Sequence, residues 1–243
     1  MLGEYIAVDL ETTGLKPDRD RILEIGAVHR REGRTVAEFQ TFVRPGMMIP
    51  AQITELTGIT DEMAEGGRTV QEALEAFLEF RGELPLVGHN LMFDYGFLKQ
   101  NTVNQGLQFE ARGMDTLKLA RQLLAEPEKK SLEALCVHFQ ISRKRGHRAL
   151  DDAQAAADLL ELLWRNYGDA RPELFVPKLL VHKAKKQGPI TPRQKKYLKD
   201  LVKYHKIELP VEPEALTKNE ASRLVDKILT QYGRIPRGAE EHI

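Results

Sequence analysis

The sequence has a single cysteine, Cys136, and few aromatic residues, which make up 7% of its 243 residues. One cysteine excludes an internal disulfide framework and is typical of proteins from a reducing compartment. No apolar run approaches the ~18 residues that a membrane span needs. The first residues, MLGEYIAVDLE, contain no basic leader, and repeats and low-complexity tracts are missing. These absences favour a globular protein of the cytoplasm without a membrane partner.

Charge of one sign is also not in excess, because 36 Lys+Arg balance 36 Asp+Glu over the whole chain. The two signs are nevertheless unevenly distributed: residues 171–243 hold 16 cations against 9 acids, and residues 1–170 hold 20 against 27. Between Lys178 and Lys206, Asp200 is the only acid. A basic C-terminal part favours a polyanionic partner, although a solvated helix face would have the same composition.

The hydrophobic pattern predicts strands at the start of the chain and alternating strands and helices after them. Apolar runs at 4–9, 22–28 and 36–43 predict three antiparallel strands, the last two joined by a turn at 32–34. A short strand is expected at 84–88, and helices are expected at about 91–104, 115–125, 131–139 and 150–166. The expected fold class is α/β, a mixed sheet flanked by helices.

The C-terminal part differs in pattern from the rest of the chain. Glycines and prolines spread through 168–190 indicate an interdomain connection. Capping boxes that start at Thr191 and at Thr217 then predict two helices, whose apolar stripes should pack on each other. The expected organisation is a catalytic domain at 1–168, a linker at 169–190, a basic two-helix module at 191–233 and a tail at 234–243.

Carboxylates occur at three places in the catalytic domain. Asp9 and Glu11 end the first strand and, two residues apart, point to the same side. Asp94 lies in the first turn of the helix that begins in HNLMFD, and Asp152 lies early on the alanine-rich helix, within HRALDDA. Hard divalent cations prefer such oxygen ligands, and a pair of them can hydrolyse a phosphodiester. A solvated turn or a helix cap would explain any one of these acids alone.

A histidine precedes the last of these carboxylates. His147 lies on the loop before the alanine-rich helix, next to Gly146. A histidine side chain can take a proton from an attacking water, which makes His147 a candidate general base. A surface-loop histidine without a role is the alternative.

The three motifs together resemble those of the DEDDh exonucleases of the DnaQ-like family, in the ribonuclease H-like superfamily, which includes the proofreading subunit of the bacterial replicative polymerase. VDLETTGL, HNLMFD and HRALDDA follow the family's order, and the resemblance covers about residues 4–167. It implies Asp9, Glu11, Asp94 and Asp152 as metal ligands and His147 as general base. It also implies a five-stranded mixed sheet, two Mg²⁺ ions that Mn²⁺ can replace, and release of nucleoside 5′-monophosphates from a 3′ end.

The same resemblance implies substrate contacts. Thr12 and Gly14 would approach the terminal nucleotide, Leu15 would contact its base, and Asn90 and Phe93 would shape the nucleotide pocket. A tight turn at Gly14 and core packing of Phe93 are the alternatives.

The basic residues around the His147 loop are a further candidate contact. They would meet substrate phosphates or would simply be solvated, and they are Arg143, Lys144, Arg145 and Arg148.

The expected function is a 3′→5′ exonuclease of DNA, acting on single strands or frayed ends in proofreading or repair. The motifs do not report on the 2′-OH, so an RNA exonuclease or oligoribonuclease remains an alternative. A non-catalytic adaptor and an endonuclease on the related fold are further alternatives. The basic module resembles two-helix nucleic-acid binders of the SAP type, and nucleic acid or a polymerase or repair protein is its expected partner. A glutamine-led clamp-binding peptide is not found.

Overall fold

The computed structural model describes residues 3–143, 146–209 and 211–236. The chain forms two compact units, one of Met1–Arg44 with Ile49–Ala184 and one of Pro45–Met48 with Lys185–Ile243. Across these described residues, none of the helices has both the length and the apolar character required to cross a lipid bilayer.

The first unit is built on a mixed sheet. Its strands are β1 (Tyr5–Thr12), β2 (Ile22–Arg31), β3 (Arg34–Phe42), β4 (Leu86–Gly88), β5 (Arg112–Asp115) and β6 (Lys178–Leu179). They lie in the order β3-β2-β1-β4-β5-β6. The strands β1 to β3 are antiparallel, β4 and β5 run parallel to β1, and β6 is antiparallel to β5. The predicted α/β class and the three leading antiparallel strands are therefore confirmed.

The sheet has six strands in the described residues, so the expectation of five is wrong by one. The sixth strand, β6, pairs Leu179 with Arg112 and Lys178 with Gly113. Two residues are too few for a periodic pattern, and only the pairing with β5 defines them. This strand lies inside the expected linker 169–190, and Phe175 before it is buried against Trp164, with ring centroids 5.2 Å apart. The sheet unit thus continues to Ala184.

Helices cover both faces of the sheet. They are α1 (Ala51–Thr57), α2 (Asp61–Glu65), α3 (Val70–Arg81), α4 (Leu91–Gln105), α5 (Thr116–Leu123), α6 (Leu132–Phe139) and α7 (Ala149–Tyr167). On one face α3 and α4 pack against Ile6, Val8 and Leu10 of β1, and on the other α5, α6 and α7 pack against Tyr5 and Ala7. Because β1 is buried on both faces, its sequence is a continuous apolar run rather than an alternating one.

The alternation along β1 decides which face carries the carboxylates. Tyr5 and Ala7 point to the side covered by α7, so Asp9 and Glu11, which continue the same period of two, point there as well. The strand end and the start of α7 therefore share one site.

The second unit consists of two helices, α8 (Pro192–His205) and α9 (Lys218–Tyr232). Both expected capping boxes are present, since Thr191 pairs with Gln194 and Thr217 pairs with Glu220. The helices share a small apolar core of Leu198, Leu201, Leu216, Ala221 and Ile228. Residues 45–48 belong to this unit, where the Glu212 N–H donates to the Gly46 carbonyl oxygen at 3.1 Å.

Candidate active site

The start of α7 comes close to β1 because the neighbouring strand has a glycine there. Gly26 of β2 lies opposite Asp9 in the strand register. A Cβ atom at position 26 would lie 2.6 Å from the Ala149 carbonyl oxygen and would also overlap the Leu150 backbone nitrogen. With no side chain at this point, the first turn of α7 rests on the sheet. Asp152, in that first turn, is thereby brought over the end of β1.

The Asp152 carboxylate is buried and has three contacts. The Arg143 guanidinium donates two hydrogen bonds to it, and the one from Nη2 to Oδ2 is 2.6 Å long. The His147 backbone N–H donates to Oδ2 at 3.2 Å. Arg143 therefore occupies one side of a carboxylate that the sequence predicts as a metal ligand.

His147 lies exposed above the same carboxylate. Its φ of 62° places it in the left-handed region, directly after Gly146. Side-chain ligand atoms of His147, Glu11 and Asp152 lie within 4.8 Å of one another. Among the described residues, these three form the one group of acids and histidines close enough together to hold a metal ion.

Asp94 reaches the site from the other side of the sheet. Its helix, α4, begins after Asn90, which has a left-handed backbone and makes no side-chain cap. The Asp94 side chain is buried and accepts a hydrogen bond from the Leu10 N–H at 3.0 Å, between Asp9 and Glu11 on β1. Asp94 is thus not a helix cap but a buried carboxylate attached to the strand end.

The carboxylates repel one another in a poorly hydrated environment. Burial, then Asp94, Asp152 and Glu11, raise the pKa of Asp9 well above its usual value. Burial, together with Asp152, raises the pKa of Glu11 to about 8. Burial also raises the pKa of Asp94, although the hydrogen bond from Leu10 opposes this. Asp9 and Asp94 lie outside the tightest group, but their charges act on it.

A second buried ion pair lies next to the site and connects β2 to the start of α7. Glu24 lies opposite Glu11 in the register and is fully buried. The Arg148 guanidinium binds it in a bidentate manner, with Nη2 to Oε1 at 2.9 Å and Nε to Oε2 at 3.1 Å. The Ala149 N–H, in the first turn of α7, also donates to Glu24. Glu24 and Arg148 therefore fix the start of α7 to β2.

This pair corrects the expectation for the basic loop. The Arg148 side chain is only 18% exposed and neutralises Glu24, so Arg148 is not the solvated loop residue of the alternative expectation. Arg143 is likewise used by Asp152. Lys144 and Arg145 lie outside the described residues.

Of the expected substrate contacts, Thr12, Gly14 and Leu15 lie at or just after the end of β1, and Asn90 and Phe93 lie at the start of α4. The Thr12 hydroxyl donates to the Gly14 carbonyl oxygen at 2.7 Å and closes a tight turn. Leu15, directly after this turn, is 80% exposed. Asn90 is exposed at the start of α4, and Phe93 is half-buried with its ring 5.0 Å from that of Phe97.

The sequence motifs did not reveal the residues that position the site. Gly26 and Glu24 belong to an apolar strand, and nothing in their spacing indicates a role. His89 opens HNLMFD, yet its ring has structural partners, the Thr116 hydroxyl at 2.9 Å and the Lys130 carbonyl oxygen at 2.8 Å. Only the pairing of β1 with β2 identifies Gly26 and Glu24.

Two groups of known proteins are similar to this chain. The DNA polymerase III PolC-type protein of Clostridium perfringens is 44% identical over 162 residues, which are 67% of this chain and 11% of that protein. The DNA polymerase III subunit epsilon of Aquifex aeolicus is 37% identical over 171 residues, which are 68% of this chain and 85% of that one. The matched region thus spans only about a tenth of the length of the PolC-type relatives.

Two solved structures of exonucleases have a similar fold. Exonuclease X, in complex with 5′ overhanging duplex DNA, is 26% identical with a TM-score of 0.55, covering 72% of this chain and 100% of that one. E. coli Exonuclease I, in complex with a dT13 oligonucleotide, shares the fold with a TM-score of 0.62 at 18% identity, covering 71% of this chain and 42% of that one.

The family match covers most of the first unit. Residues 6–160, from β1 to the middle of α7, match the RNase_T family, described as Exonuclease. This range includes all five residues of the expected catalytic set. The predicted resemblance and the prediction of an exonuclease are confirmed, and the chain belongs to the RNase_T exonuclease family, consistent with the DEDDh, DnaQ-like type.

Proposed function

We propose that this chain is a metal-dependent 3′→5′ exonuclease that hydrolyses DNA from the 3′ end, at single strands or frayed ends, and releases nucleoside 5′-monophosphates. The observation that carries the proposal is the meeting of four carboxylates, Asp9, Glu11, Asp94 and Asp152, with an exposed histidine at the end of β1. Membership of an exonuclease family supports the reaction class.

The donor set fits divalent cations. Neighbouring carboxylates raise the pKa values of Asp9 and Glu11, so a cation at this site would be stabilised. Among the described residues, Asp152 is the one member of the four in an ion pair, with Arg143. Asp9, Glu11, Asp94 and Asp152 would hold two Mg²⁺ ions, or Mn²⁺ in their place. When bound, such ions activate water and neutralise the phosphate and the leaving oxygen.

His147 would take the proton of the attacking water. It is exposed, and its side chain reaches Glu11 and Asp152 to within 4.8 Å. Its loop is attached at both sides, by Arg143 to Asp152 and by Arg148 to Glu24. These anchors hold the imidazole near the acids while leaving its ring accessible to solvent, as a general base requires.

The residues around the end of β1 suit the binding of the 3′-terminal nucleotide of a nucleic acid. Leu15 offers an exposed apolar surface on which a base can lie. The Thr12–Gly14 turn lies directly before Leu15, and Asn90 and Phe93 lie at the start of α4, the helix that carries Asp94. These residues would position the terminal nucleotide next to the carboxylates.

The preference for DNA is supported by the relatives. Two groups of similar proteins carry the name of a DNA polymerase III, and two exonucleases of similar fold were solved with DNA. A role in proofreading or repair, with a polymerase or repair partner, belongs to the proposal. So does a cytoplasmic location, which the single unpaired Cys136 supports.

The test is a degradation ladder. Oligonucleotides of single-stranded DNA, duplex DNA and RNA, labelled at either end, are incubated with the protein and Mg²⁺ or Mn²⁺. The proposal predicts that a 3′ label appears at once as a mononucleotide and that a 5′ label passes through every shorter length. We expect His147→Ala to lower the rate about 10²- to 10⁴-fold, the usual contribution of a general base.

The matched controls use residues of the same type nearby. Asp9→Asn with Glu11→Gln should abolish turnover, whereas Asp151→Asn, the neighbouring carboxylate on α7, should not. His138→Ala, an exposed histidine on α6, controls for His147→Ala. Release from the 5′ end, cleavage of closed circles, or turnover in chelator would overturn the proposal. Faster release from RNA than from DNA would replace DNA by RNA as the substrate.

A further inference from the structure

Two tyrosine rings contact one histidine ring at the ends of the two helices of the second unit. Tyr204 and His205 end α8 and have ring centroids 4.9 Å apart, and His205 lies 5.6 Å from Tyr232 at the end of α9. The His205 Nε2 atom is also 3.2 Å from the Gly233 carbonyl oxygen. These contacts hold the three rings, here called the aromatic platform, in a fixed arrangement.

The platform does not belong to the core of the unit. That core is aliphatic and consists of the side chains around Leu198, Leu201 and Ile228. Tyr204 and Tyr232 are instead 39% and 46% exposed. Large rings usually fold into the interior because their burial is favourable, so a cluster that stays at the surface is available for a ligand.

The charge around the platform is of one sign. Lys203, Lys206 and Arg234 lie within two residues of a ring, and residues 202–207 and 230–234 contain no acid. All three cations are exposed. Rings that take the faces of bases, beside cations that take phosphates, are the combination with which proteins hold single strands.

We propose that Tyr204, His205 and Tyr232 bind the bases of single-stranded nucleic acid by stacking, with Lys203, Lys206 and Arg234 beside its phosphates. The bases of a duplex are stacked on one another and offer no free face, so the platform selects single strands. The choice of nucleic acid as the ligand rests on the proposed function. The platform itself requires no metal and no catalysis.

The experiment measures binding rather than turnover. Full-length protein in chelator is titrated into two fluorescent single strands of about 12 nucleotides, an oligothymidylate and an abasic strand with the same phosphates. Wild type should prefer the oligothymidylate. Tyr204→Leu with Tyr232→Leu, which keeps apolar surface and removes the rings, should weaken binding of the oligothymidylate at least about fivefold and leave the abasic strand unaffected.

Two further variants separate stacking from charge and from folding. Lys206→Gln with Arg234→Gln should weaken the binding of both strands by the same factor, because both strands carry the same phosphates. Tyr204→Phe with Tyr232→Phe should bind like wild type, because the ring is kept. The proposal would be overturned if the leucine variant lost the same affinity for both strands, or lost affinity for neither.

The two proposals fail separately. If wild type prefers the oligothymidylate through these rings but degrades no nucleic acid, the platform stands and the exonuclease proposal fails. If it degrades DNA from the 3′ end and the leucine variant keeps its full base preference, the platform is rejected and the exonuclease proposal stands.

Discussion

Glu11 is the residue at which the site depends most clearly on pH. Burial and the Asp152 carboxylate raise its pKa from 4.5 to about 8. The folded protein then keeps a proton that the unfolded chain releases above about pH 4.5. The stabilisation by this proton is complete below that pH and is lost as the pH rises through about 8. Asp9 and Asp94, whose pKa values are also raised, act in the same direction.

The metal-free protein should therefore melt at a lower temperature at about pH 9 than at about pH 6, and Mg²⁺ should reverse this loss. Trp164, the only tryptophan, lies on α7 and reports on the first unit. Its fluorescence during heating, in chelator and in MgCl₂, measures both effects. Glu11→Gln should flatten the pH dependence and reduce the stabilisation by Mg²⁺. Equal melting temperatures at both pH values would contradict the assignment.

Arg148 is expected to contribute to the stability of the protein. Its guanidinium neutralises Glu24, which is fully buried, so Arg148→Met leaves an unpaired carboxylate inside the protein. We expect a loss of about 3–5 kcal/mol in the free energy of unfolding. Adding Glu24→Gln should restore most of it, because the amide carries no charge. Denaturant unfolding of the two single variants and the double variant measures this coupling, and additive losses would show that the pair is not coupled.

At the scale of elements, the contact between β2 and α7 determines the position of Asp152 in the site. Gly26→Ala would push the Ala149 carbonyl oxygen and the start of α7 away from the sheet. We expect a loss of about 1–3 kcal/mol in stability, together with weaker Mg²⁺ binding, since Asp152 moves with the helix. Gly66→Ala is the control, because a Cβ there meets nothing closer than 3.8 Å. Calorimetric titration with Mg²⁺ tests this, and unchanged affinity would show that α7 can adjust.

The same contact shows how far the sequence could predict the structure. The strands β1 to β3 and the helices from α4 to α7 follow from apolar periodicity and caps, which are local properties of the chain. The strands β5 and β6 have four and two residues and little pattern, and pairing alone makes them strands. The partners of Arg143 and Arg148 also could not be predicted, since Glu24 lies 124 residues before Arg148. The motifs identified the acids but not what positions them.

At the scale of the molecule, the charge is divided between the two ends of the sequence, and four lysines of α8 and its C-terminal end fall into two groups. Lys195 and Lys199 both form ion pairs with Glu214, whereas the described residues show no ion pair for Lys196 and Lys206. If the second unit holds nucleic acid by its phosphates, binding should weaken as salt rises, because cations on the strand are released. The position of each lysine then matters more than the total charge.

Lys196→Gln with Lys206→Gln should reduce the slope of log affinity against log salt by about 1.4, as expected for two phosphate contacts on a single strand. Lys195→Gln with Lys199→Gln changes the net charge by the same amount and should change the slope less, because Glu214 already engages both lysines. Fluorescence anisotropy with an oligothymidylate in chelator, repeated over a series of KCl concentrations, gives both slopes. Equal changes for the two pairs would mean that the general field of the basic module, rather than contacts at these positions, attracts the strand.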